Sequence, residues 1–273
     1  MNGFGGNAKK LLNVLHLGLE PYDGVLELQH QLVEARRAGL IADTLILVQH
    51  PPVITLGRRG NESNILVSRQ WLAEHGIQVR RVERGGDVTY HGPGQLVGYP
   101  IMDLRHHRQD VGWYMHSLEE VLIRTLDQFG IAAKRLAGNI GVWLDEEKKI
   151  VALGARVENW IAYHGFALNV RSDLSHFDLI VPCGLVGKGV TSMEKTLGRT
   201  VDMAAVRERV AHDFSTVFGR RMREVALDDL FPRPHSGGNK GPGPRQCGAS
   251  ACHREPTGLV KRGGICYNMD SQR

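Results

Sequence analysis

Apolar residues follow two different spacings along the first 231 positions of the chain, and segments with one spacing alternate with segments with the other. Short runs of five to nine residues, rich in Val, Ile and Leu, end at Gly, Pro or charged residues. Such runs are typical of buried β-strands. The runs that we predict as strands are Leu11–Leu17, Thr44–Val48, Val53–Gly57, Ile77–Val82, Leu96–Leu104, Ile140–Leu144, Ile150–Gly154 and Phe166–Val170.

Longer stripes with apolar residues three and four positions apart lie between these runs and predict helices. Because strands, helices and hairpins are interleaved, we predict an α/β fold with one mixed sheet and packed helices, not a strict βαβ repeat. The predicted helices begin at Pro21, Ser68, Asp110 and Thr200 and end near Gly39, Gly76, Gly130 and Gly219, with Ser68 and Thr200 as caps.

A charged segment, Asp145–Lys149, separates two of the predicted strands and indicates a hairpin with a charged tip. Successive side chains of a strand point to opposite faces, so Lys148 and Lys149 should face opposite ways. A lysine at a hairpin tip is usually solvated. One of the pair can turn inward, and the spacing leaves open which.

The composition changes after Phe231, where Pro and Gly become frequent and no core can form. We predict a catalytic domain over residues 1–231 and a disordered, basic tail over residues 232–273. The chain has 34 Lys+Arg and 29 Asp+Glu, and seven of the basic and two of the acidic residues lie in the tail. The domain is therefore neutral overall, and its charge gives no reason to expect nucleic-acid binding.

No run is long and apolar enough to span a bilayer, and the N-terminus lacks a signal-peptide pattern. We therefore expect a cytoplasmic protein that does not enter the membrane. Of the four cysteines, Cys247, Cys252 and Cys266 fall in the tail. Their spacing lacks the paired C-x₂-C form, which argues against a zinc site even with His253 nearby. We expect neither a metal nor a cofactor.

The segment Arg84–Gln95, RGGDVTYHGPGQ, combines four glycines with Arg, Asp, Tyr, His and Gln. Glycine lets backbone approach a ligand closely. A surface turn needs no such set of functional groups, so we interpret the segment as a ligand-binding loop. It lacks the Gly-Lys-Ser/Thr ending of a phosphate-binding loop, so ATP binding is not indicated.

Cys183 is the only cysteine before the tail, and it lies between Pro182 and Gly184. A buried cysteine is more often inert than reactive. This one follows the Arg84–Gln95 loop and a second Gly- and His-containing segment, His164–Asn169. A thiol served by two ligand loops suggests a nucleophile, which makes acyl transfer the first reaction to consider.

Together these segments resemble the octanoyl-[acyl carrier protein]:protein N-octanoyltransferases, the lipoate–protein ligase B family. The resemblance runs from about Leu15 to about Phe218 and does not include the tail. Its most specific blocks are RGGDVTYHGPGQL at Arg84–Leu96, KIVALGARV at Lys149–Val157, HGFALNV at His164–Val170 and IVPCGLVGKGVTSM at Ile180–Met193.

The resemblance implies a single catalytic domain like that of biotin and lipoate ligases. It also implies transfer of octanoyl from acyl carrier protein to a lysine of a lipoyl domain, the first step of lipoate synthesis. The acceptors would be the lipoyl domains of 2-oxoacid dehydrogenase complexes and the glycine cleavage H protein. By position, Cys183 matches the acyl-thioester residue and Lys149 the essential lysine. The oxyanion would be held by backbone N–H groups near Gly154 or Gly184.

The family's substrate-contacting segments match three stretches of this chain. They are Arg84, Gly85, Gly86, Asp87, Val88, Thr89, Tyr90 and His91; Ala152, Leu153 and Gly154; and Gly165, Phe166 and Ala167. An eight-carbon chain needs a narrow apolar slot, and the side chains expected to line it are Leu56, Val88, Tyr90 and Leu153.

Two other functions stay open at this point. An ATP-dependent lipoate or biotin ligase of the same fold would form an acyl-adenylate and would need no cysteine nucleophile. A protein that only binds acyl carrier protein or lipoyl domains would explain the loops but would leave Cys183 and Lys149 unused.

Overall fold

The computed structural model describes residues 10–181 and 188–231. All of them belong to one of the two units into which contacts divide the chain, Met1–Arg233. The second unit, Pro234–Arg273, lies outside the described residues. So do the predicted nucleophile Cys183 and the predicted tail with its three cysteines.

The described strands form a nine-stranded sheet and a three-stranded sheet. Most predicted strands are present, although several are longer than their apolar runs. The strands are β1 (Leu11–Leu19), β2 (Asp43–Gln49), β3 (Val53–Leu56), β4 (Gln78–Arg81), β5 (Val88–His91), β6 (Gln95–Asp103), β7 (Lys134–Leu136), β8 (Asn139–Trp143), β9 (Lys148–Glu158), β10 (Ile161–Asn169), β11 (Gly189–Val190) and β12 (Arg221–Glu224).

The large sheet has the order β12-β1-β2-β6-β10-β9-β8-β7, and β11 pairs with β9 outside this path. Strands β12, β1 and β2 are mutually parallel. From β2 to β7 each strand is antiparallel to its neighbour. The predicted mixed sheet is therefore confirmed, and its antiparallel half contains the strands that carry Lys149 and Gly165.

Helices cover both faces of the large sheet. Along β2, Leu45 and Leu47 pack in one core, and Ile46 and Val48 pack in the other, because successive side chains alternate between the faces. The first core includes α3 (Val111–Gln128) and α5 (Met203–Val217), and the second includes α1 (Tyr22–Arg37). None of the described helices is long and apolar enough to cross a membrane. The helices are α1 (Tyr22–Arg37), α2 (Arg69–Glu74), α3 (Val111–Gln128), α4 (Met193–Leu197), α5 (Met203–Val217) and α6 (Leu227–Leu230).

Of the two predicted helix caps, one is right and one is wrong. The side chain of Ser68 accepts a hydrogen bond from the Trp71 backbone N–H, as predicted. For α5 the cap is Asp202, which accepts from Ala204, and not Thr200. The residue between these two, Val201, is 1% exposed and packs in the first core. Its burial keeps the chain out of the helix for two further residues.

Strands β9 and β10 are longer than predicted and form a hairpin that the sequence did not predict. Strand β10 begins at Ile161, five residues before the predicted start. The two turn residues, Asn159 and Trp160, have φ of 48° and 65°. Two consecutive left-handed residues form the tight turn that matches the twist of a hairpin. Trp is an unusual residue for such a turn, so no local pattern predicted it.

The three-stranded sheet has the order β4-β3-β5 and supports the Gly-rich segment, Arg84–Gln95. Strand β5 lies within Arg84–Gln95, so this segment is not a continuous loop as predicted. Its backbone pairs in antiparallel register with β3. A third core fills the space beside this sheet and contains Ile54, Leu56, Leu72, Ile77, Val88, Tyr90, Phe177 and Ile180.

Candidate active site

The lysine pair at the tip of the β8–β9 hairpin separates as strand alternation predicts. The Lys148 side chain is 59% exposed, and its Nζ lies 3.6 Å from Oδ2 of Asp145. Lys149 is 9% exposed, and its Nζ donates a hydrogen bond of 3.2 Å to the carbonyl oxygen of Ile140. The same Nζ lies 4.6 Å from the ring centroid of Trp143, a cation–π distance. Lys149 is therefore the inward lysine.

A bulge in β9 sets the direction of Lys149. Val142 pairs with Val151, but the next residue of β8, Trp143, pairs with Lys149. Ile150 is thus an extra residue in β9, and it packs in the first core together with Val151. Bulges re-aim side chains near functional sites. Here the bulge lets Lys149 leave the core and line an open groove.

This groove has a volume of about 540 Å³. Its walls come from the Gly-rich segment, the first turns of α3, the β7–β8 turn and β9. It is wide enough to admit a flexible arm or a side chain from another macromolecule. The groove is lined by Arg59, Gly85, Gly86, Asp87, Val111, Met115, Gly138, Asn139, Ile140, Lys149, Leu153, Gly154 and Ala155.

A narrow cavity of about 40 Å³ adjoins the groove, and Gly86, Leu153 and Gly154 line both. Leu153, expected to line an acyl slot, therefore lies at the junction. Ten of the predicted substrate contacts lie at this cavity. It is lined by Tyr22, Arg84, Gly86, Thr89, His91, Val97, Tyr99, Ala152, Leu153, Gly154, His164, Gly165, Phe166 and Ala167.

The first residues of the Gly-rich segment lie directly on β9. Gly85 donates its N–H to the carbonyl of Ala155 at 3.0 Å. A Cβ on Gly154 would lie 2.8 Å from the carbonyl oxygen of Gly85, so only glycine allows this approach. The buried guanidinium of Arg84 donates to the carbonyl of Thr55 at 2.7 Å. The junction between groove and cavity is therefore held by backbone contacts.

Asp87 lines the groove, but its carboxylate is engaged within the protein. One oxygen accepts from the Asn64 side-chain amide at 2.6 Å. The other accepts from the backbone N–H of Asn61 at 3.2 Å. Asp87 therefore ties the Gly-rich segment to the 61–64 turn, whatever contact it makes with a substrate.

Strand β5 presents alternate residues to two environments. Thr89 and His91 line the narrow cavity. Val88 and Tyr90 pack in the third core with Leu56, although all three were expected to line an acyl slot. Burial raises the pKa of Tyr90 to about 12. The pairing of β5 with β3 explains this placement, because it fixes which face of β5 meets the cavity.

His91 is held in one orientation as a neutral imidazole. Its Nδ1 donates to the Gln95 side-chain oxygen at 2.8 Å, since the Gln95 amide nitrogen donates to Asn169. The Tyr22 ring stacks against it at 5.9 Å. Burial lowers the pKa of His91 to about 3, and the neighbouring His50 adds to the effect. His91 therefore presents no charge to the cavity at neutral pH.

Four cavity residues were not predicted from the sequence. Tyr99 donates its hydroxyl to Nε2 of His50 at 2.8 Å, while Nδ1 of His50 donates to the carbonyl of Glu20. Only His164 lay within a motif that the sequence analysis singled out. Strand alternation puts Val97 and Tyr99 on one face of β6, but it does not predict what that face contacts. The four are Tyr22, Val97, Tyr99 and His164.

His164 combines a left-handed backbone with deep burial. Its φ is 54° and it is 1% exposed. Its Nε2 lies 3.6 Å from Oε1 of Glu83, an oxygen that is also 2.7 Å from Nε2 of His30. The imidazoles of His164 and His30 hold the pKa of the Glu83 carboxyl well below its usual range. Burial lowers the pKa of His164 itself. A carboxylate thus lies behind the cavity wall.

Residues 182–187, which include Cys183, lie outside the described residues. The residue before them is attached near the groove. Val181 donates its N–H to the carbonyl of Asn64 at 2.8 Å, and Asn64 also donates to the groove residue Asp87.

The residues that follow this segment are attached on the Lys149 side. The Lys188 Nζ lies 5.0 Å from the ring centroid of Trp143, the same ring that Lys149 approaches. Thr191 donates its N–H to the carbonyl of Lys149 at 2.9 Å. Val181 is therefore linked through Asn64 to Asp87, and Thr191 is bonded directly to Lys149, and both Asp87 and Lys149 line the groove. In the described ranges, no group of three or more His, Cys, Asp and Glu is arranged to hold a metal ion.

Comparison with known families gives one match that covers most of the chain. The family described as the lipoyl protein ligase A/B catalytic domain matches residues 21–215. That range contains the Gly-rich segment, Lys149 and Cys183.

Two bacterial relatives are similar over nearly their whole length. An octanoyltransferase of Caldicellulosiruptor saccharolyticus is 50% identical over 221 residues, which cover 80% of this chain and 94% of that protein. An octanoyltransferase of Acidobacterium capsulatum is 50% identical over 239 residues, with 81% of this chain and 96% of that protein covered.

Solved structures resemble the fold at lower sequence identity. A bipartite lipoate protein ligase from Thermoplasma acidophilum has a TM-score of 0.65 at 18% identity, covering 80% of this chain and 88% of that one. A lipoate-protein ligase A bound with ATP has a TM-score of 0.66 at 18% identity, covering 80% and 90%. These likenesses confirm the predicted lipoate-ligase-like fold.

Proposed function

We propose that this chain, which belongs to the lipoyl protein ligase A/B catalytic domain family and is an octanoyltransferase, moves octanoyl from acyl carrier protein to a lipoyl-domain lysine through a Cys183 thioester. The acceptors are the lipoyl domains of 2-oxoacid dehydrogenase complexes and the glycine cleavage H protein. Transfer needs neither metal nor cofactor, since one thioester replaces another in the first half-reaction.

The junction between the groove and the cavity is the observation that carries this proposal. Leu153 and Gly154 line both spaces, and Lys149 lines the groove. A narrow space next to a wide one suits a thioester whose alkyl chain and carrier arm differ in width. In this arrangement the octanoyl chain enters the cavity, which must widen beyond its volume of about 40 Å³ to hold eight carbons, and the carbonyl lies at the junction. The carrier arm, and later the acceptor lysine, occupies the groove.

The first half-reaction needs a thiolate within reach of that carbonyl. One residue separates Val181 from Cys183, so covalent geometry keeps their Cα atoms within about 7 Å of each other. The ammonium of Lys149 favours the thiolate by opposite-charge attraction. The Cys183 sulfur attacks the carbonyl carbon and forms a new C–S bond as the bond to the carrier thiol breaks. The departing carrier thiolate takes a proton from Lys149.

The second half-reaction makes an amide from this thioester. The acceptor lysine must attack as a neutral amine, and Lys149, now neutral, takes the proton that the amine loses. The C–N bond forms, the C–S bond breaks, and Cys183 leaves as a thiolate. The candidates for the oxyanion donors are still Gly154 and Gly184, of which Gly184 lies outside the described residues.

The test is incubation with octanoyl-acyl carrier protein in the absence of ATP, followed by intact-mass analysis of the protein. We expect one octanoyl group on the wild type, released by hydroxylamine and missing in Cys183→Ser. The matched controls are Cys247→Ser, Cys252→Ser and Cys266→Ser, each of which should keep the adduct. Acylation that requires ATP would favour a ligase, and binding without an adduct would favour a carrier-binding protein.

A further inference from the structure

The carbonyl that receives Lys149 belongs to a peptide unit with unusual geometry. Ile140 supplies the oxygen, and the following residue, Gly141, has φ of 134°. A Cβ on Gly141 would lie 3.1 Å from Cε of Lys149 and 2.8 Å from the carbonyl oxygen of Val151. The Lys149 side chain therefore packs directly against Gly141. The hydrogen bond from its Nζ to the Ile140 carbonyl depends on how the Ile140–Gly141 peptide is oriented.

A buried carboxylate holds the other end of this peptide. Glu119, on α3, is 3% exposed. Its Oε1 accepts the N–H of Gly141 at 3.0 Å. The peptide is planar and trans, so its N–H and C=O point in opposite directions. Glu119 thus holds the N–H end of one peptide plane, and the C=O end receives the ammonium of Lys149.

The second oxygen of Glu119 is satisfied by groups on the surface side. Its Oε2 accepts from Nδ1 of His116 at 2.9 Å and lies 3.3 Å from Nε of Arg135. The side chains of these two partners are 70% and 39% exposed. Either of these side chains can hydrogen-bond to water instead if Glu119 is replaced. The bond from Glu119 to Gly141 has no such freedom, because it is buried and both of its ends belong to packed elements.

We propose that Glu119 is a positioning residue for Lys149, acting through the Ile140–Gly141 peptide, and this rests on the role of Lys149 in the proposed function. A hydrogen bond to an ionised acceptor is stronger than a neutral one. It also polarises the peptide, which makes the Ile140 carbonyl a better acceptor for the ammonium. The reach of the side chain, more than its charge, decides whether the peptide plane is held.

Two substitutions separate reach from charge. Glu119→Asp keeps the charge but withdraws the oxygens by the length of one methylene. Glu119→Gln removes the charge but keeps an oxygen at the same distance from Gly141. We expect Glu119→Asp to slow transfer to a lipoyl domain about 10- to 100-fold, since misplacement of about 1 Å has effects of that size. Glu119→Gln should stay within about threefold of the wild type. The matched control is Glu120→Asp, on the same helix.

The pH dependence of Cys183 alkylation by iodoacetamide distinguishes positioning from a general structural role. Glu119→Asp should raise the pKa of the Cys183 thiol towards its value in Lys149→Ala, and the double variant should behave like Lys149→Ala alone. Thermal unfolding of each variant checks that it is folded. A normal thiol pKa in folded Glu119→Asp, or a loss in Glu119→Gln as large as that in Glu119→Asp, overturns the inference.

These outcomes are separable from failure of the proposed function. If Lys149→Ala has a normal thiol pKa and normal transfer, the assigned role of Lys149 is wrong, and the positioning role of Glu119 is wrong with it. If Lys149→Ala is impaired and Glu119→Asp is not, only the positioning role is wrong.

Discussion

The Nζ of Lys149 lies 4.6 Å from the ring centroid of Trp143, an indole that is 1% exposed. The Lys188 Nζ approaches the same ring at 5.0 Å. The indole N–H donates to the carbonyl of Asn139, which fixes the ring plane. The ring therefore presents its π-electrons to the lysine that we propose as the acid and base of the reaction.

Replacing Trp143 with a residue that has no aromatic ring should slow transfer more than replacing it with a smaller aromatic residue. Leu and Phe both shrink the side chain, but only Phe keeps a face for a cation. A cation–π contact contributes about 1 kcal/mol, or about fivefold in rate. We expect Trp143→Leu to be about fivefold slower than Trp143→Phe in transfer, with similar melting temperatures. Equal rates for the two variants would mean that the ring acts only by filling space.

The neighbouring lysines offer a control of equal charge. Lys149→Ala should raise the pKa of the Cys183 thiol and slow both half-reactions. Each unit by which the thiol pKa rises corresponds to about 1.4 kcal/mol. Lys149→Arg should form the acyl-enzyme and then stall, because guanidinium keeps its proton. Lys148→Ala should behave like the wild type. The measurement is alkylation rate against pH, with transfer followed in parallel. Equal losses from Lys148→Ala and Lys149→Ala would show that the assignment is wrong.

How far the sequence predicts the site is clear from Lys149. Alternation along a hairpin predicts that one lysine of the pair faces inward. The choice between them depends on the bulge at Ile150, and a bulge has no reliable signature in a single sequence. The resemblance supplied the choice, and the burial of Lys149 agrees with it.

Other parts of the site depend on which strands are neighbours. Tyr99 reaches the cavity because β6 lies between β2 and β10. Val88 and Tyr90 miss the cavity because the pairing of β5 with β3 turns the opposite face of the strand, with Thr89 and His91, towards it. Pairing between distant segments is decided by packing and not by local pattern, so apolar spacing predicted the strands but not their order.

Close contact between two backbones makes Gly154 sensitive to any side chain. A Cβ at this position would lie 2.8 Å from the carbonyl oxygen of Gly85. Gly154→Ala must displace the Gly-rich segment, and overpacking of this kind costs about 1–3 kcal/mol. We expect a lower kcat/KM and a lower melting temperature. The control is Gly24→Ala, in α1, where a Cβ meets nothing within 4 Å. Full activity in Gly154→Ala would show that the contact is dispensable.

The boundary at Phe231 can be tested by truncation. The family match ends at residue 215, and the tail lacks core-forming residues. We expect a chain that ends after Phe231 to keep its transfer activity and melting temperature. A chain that ends at Gly219 should be destabilised, because it loses β12, which pairs with β1, and the buried Leu230. Loss of activity in the longer truncation product would assign the tail a function.

His50 should make the fold sensitive to acid. Burial lowers the pKa of His50 to about 4, against an ordinary value of about 6.5. The unfolded chain binds a proton at this residue below about pH 6.5, and the folded chain does so only below about pH 4. Protonation therefore favours unfolding as the pH falls through this window, by about 1.4 kcal/mol for each pH unit. Below about pH 4 both states are protonated, and the effect no longer grows.

The measurement is urea unfolding of the wild type and His50→Gln at several pH values from 7.5 to 4. Gln does not titrate, and its side-chain oxygen can accept the hydroxyl of Tyr99 in place of the imidazole nitrogen. The wild type should be the more stable protein at pH 7.5, and its advantage should shrink by about 3 kcal/mol by pH 4. Burial, the main cause of the lowered pKa of His91, is the same in both proteins, so most of the His91 contribution cancels in the difference. A difference in unfolding free energy that stays constant with pH would show that His50 is charged, or accessible to water, in the folded protein.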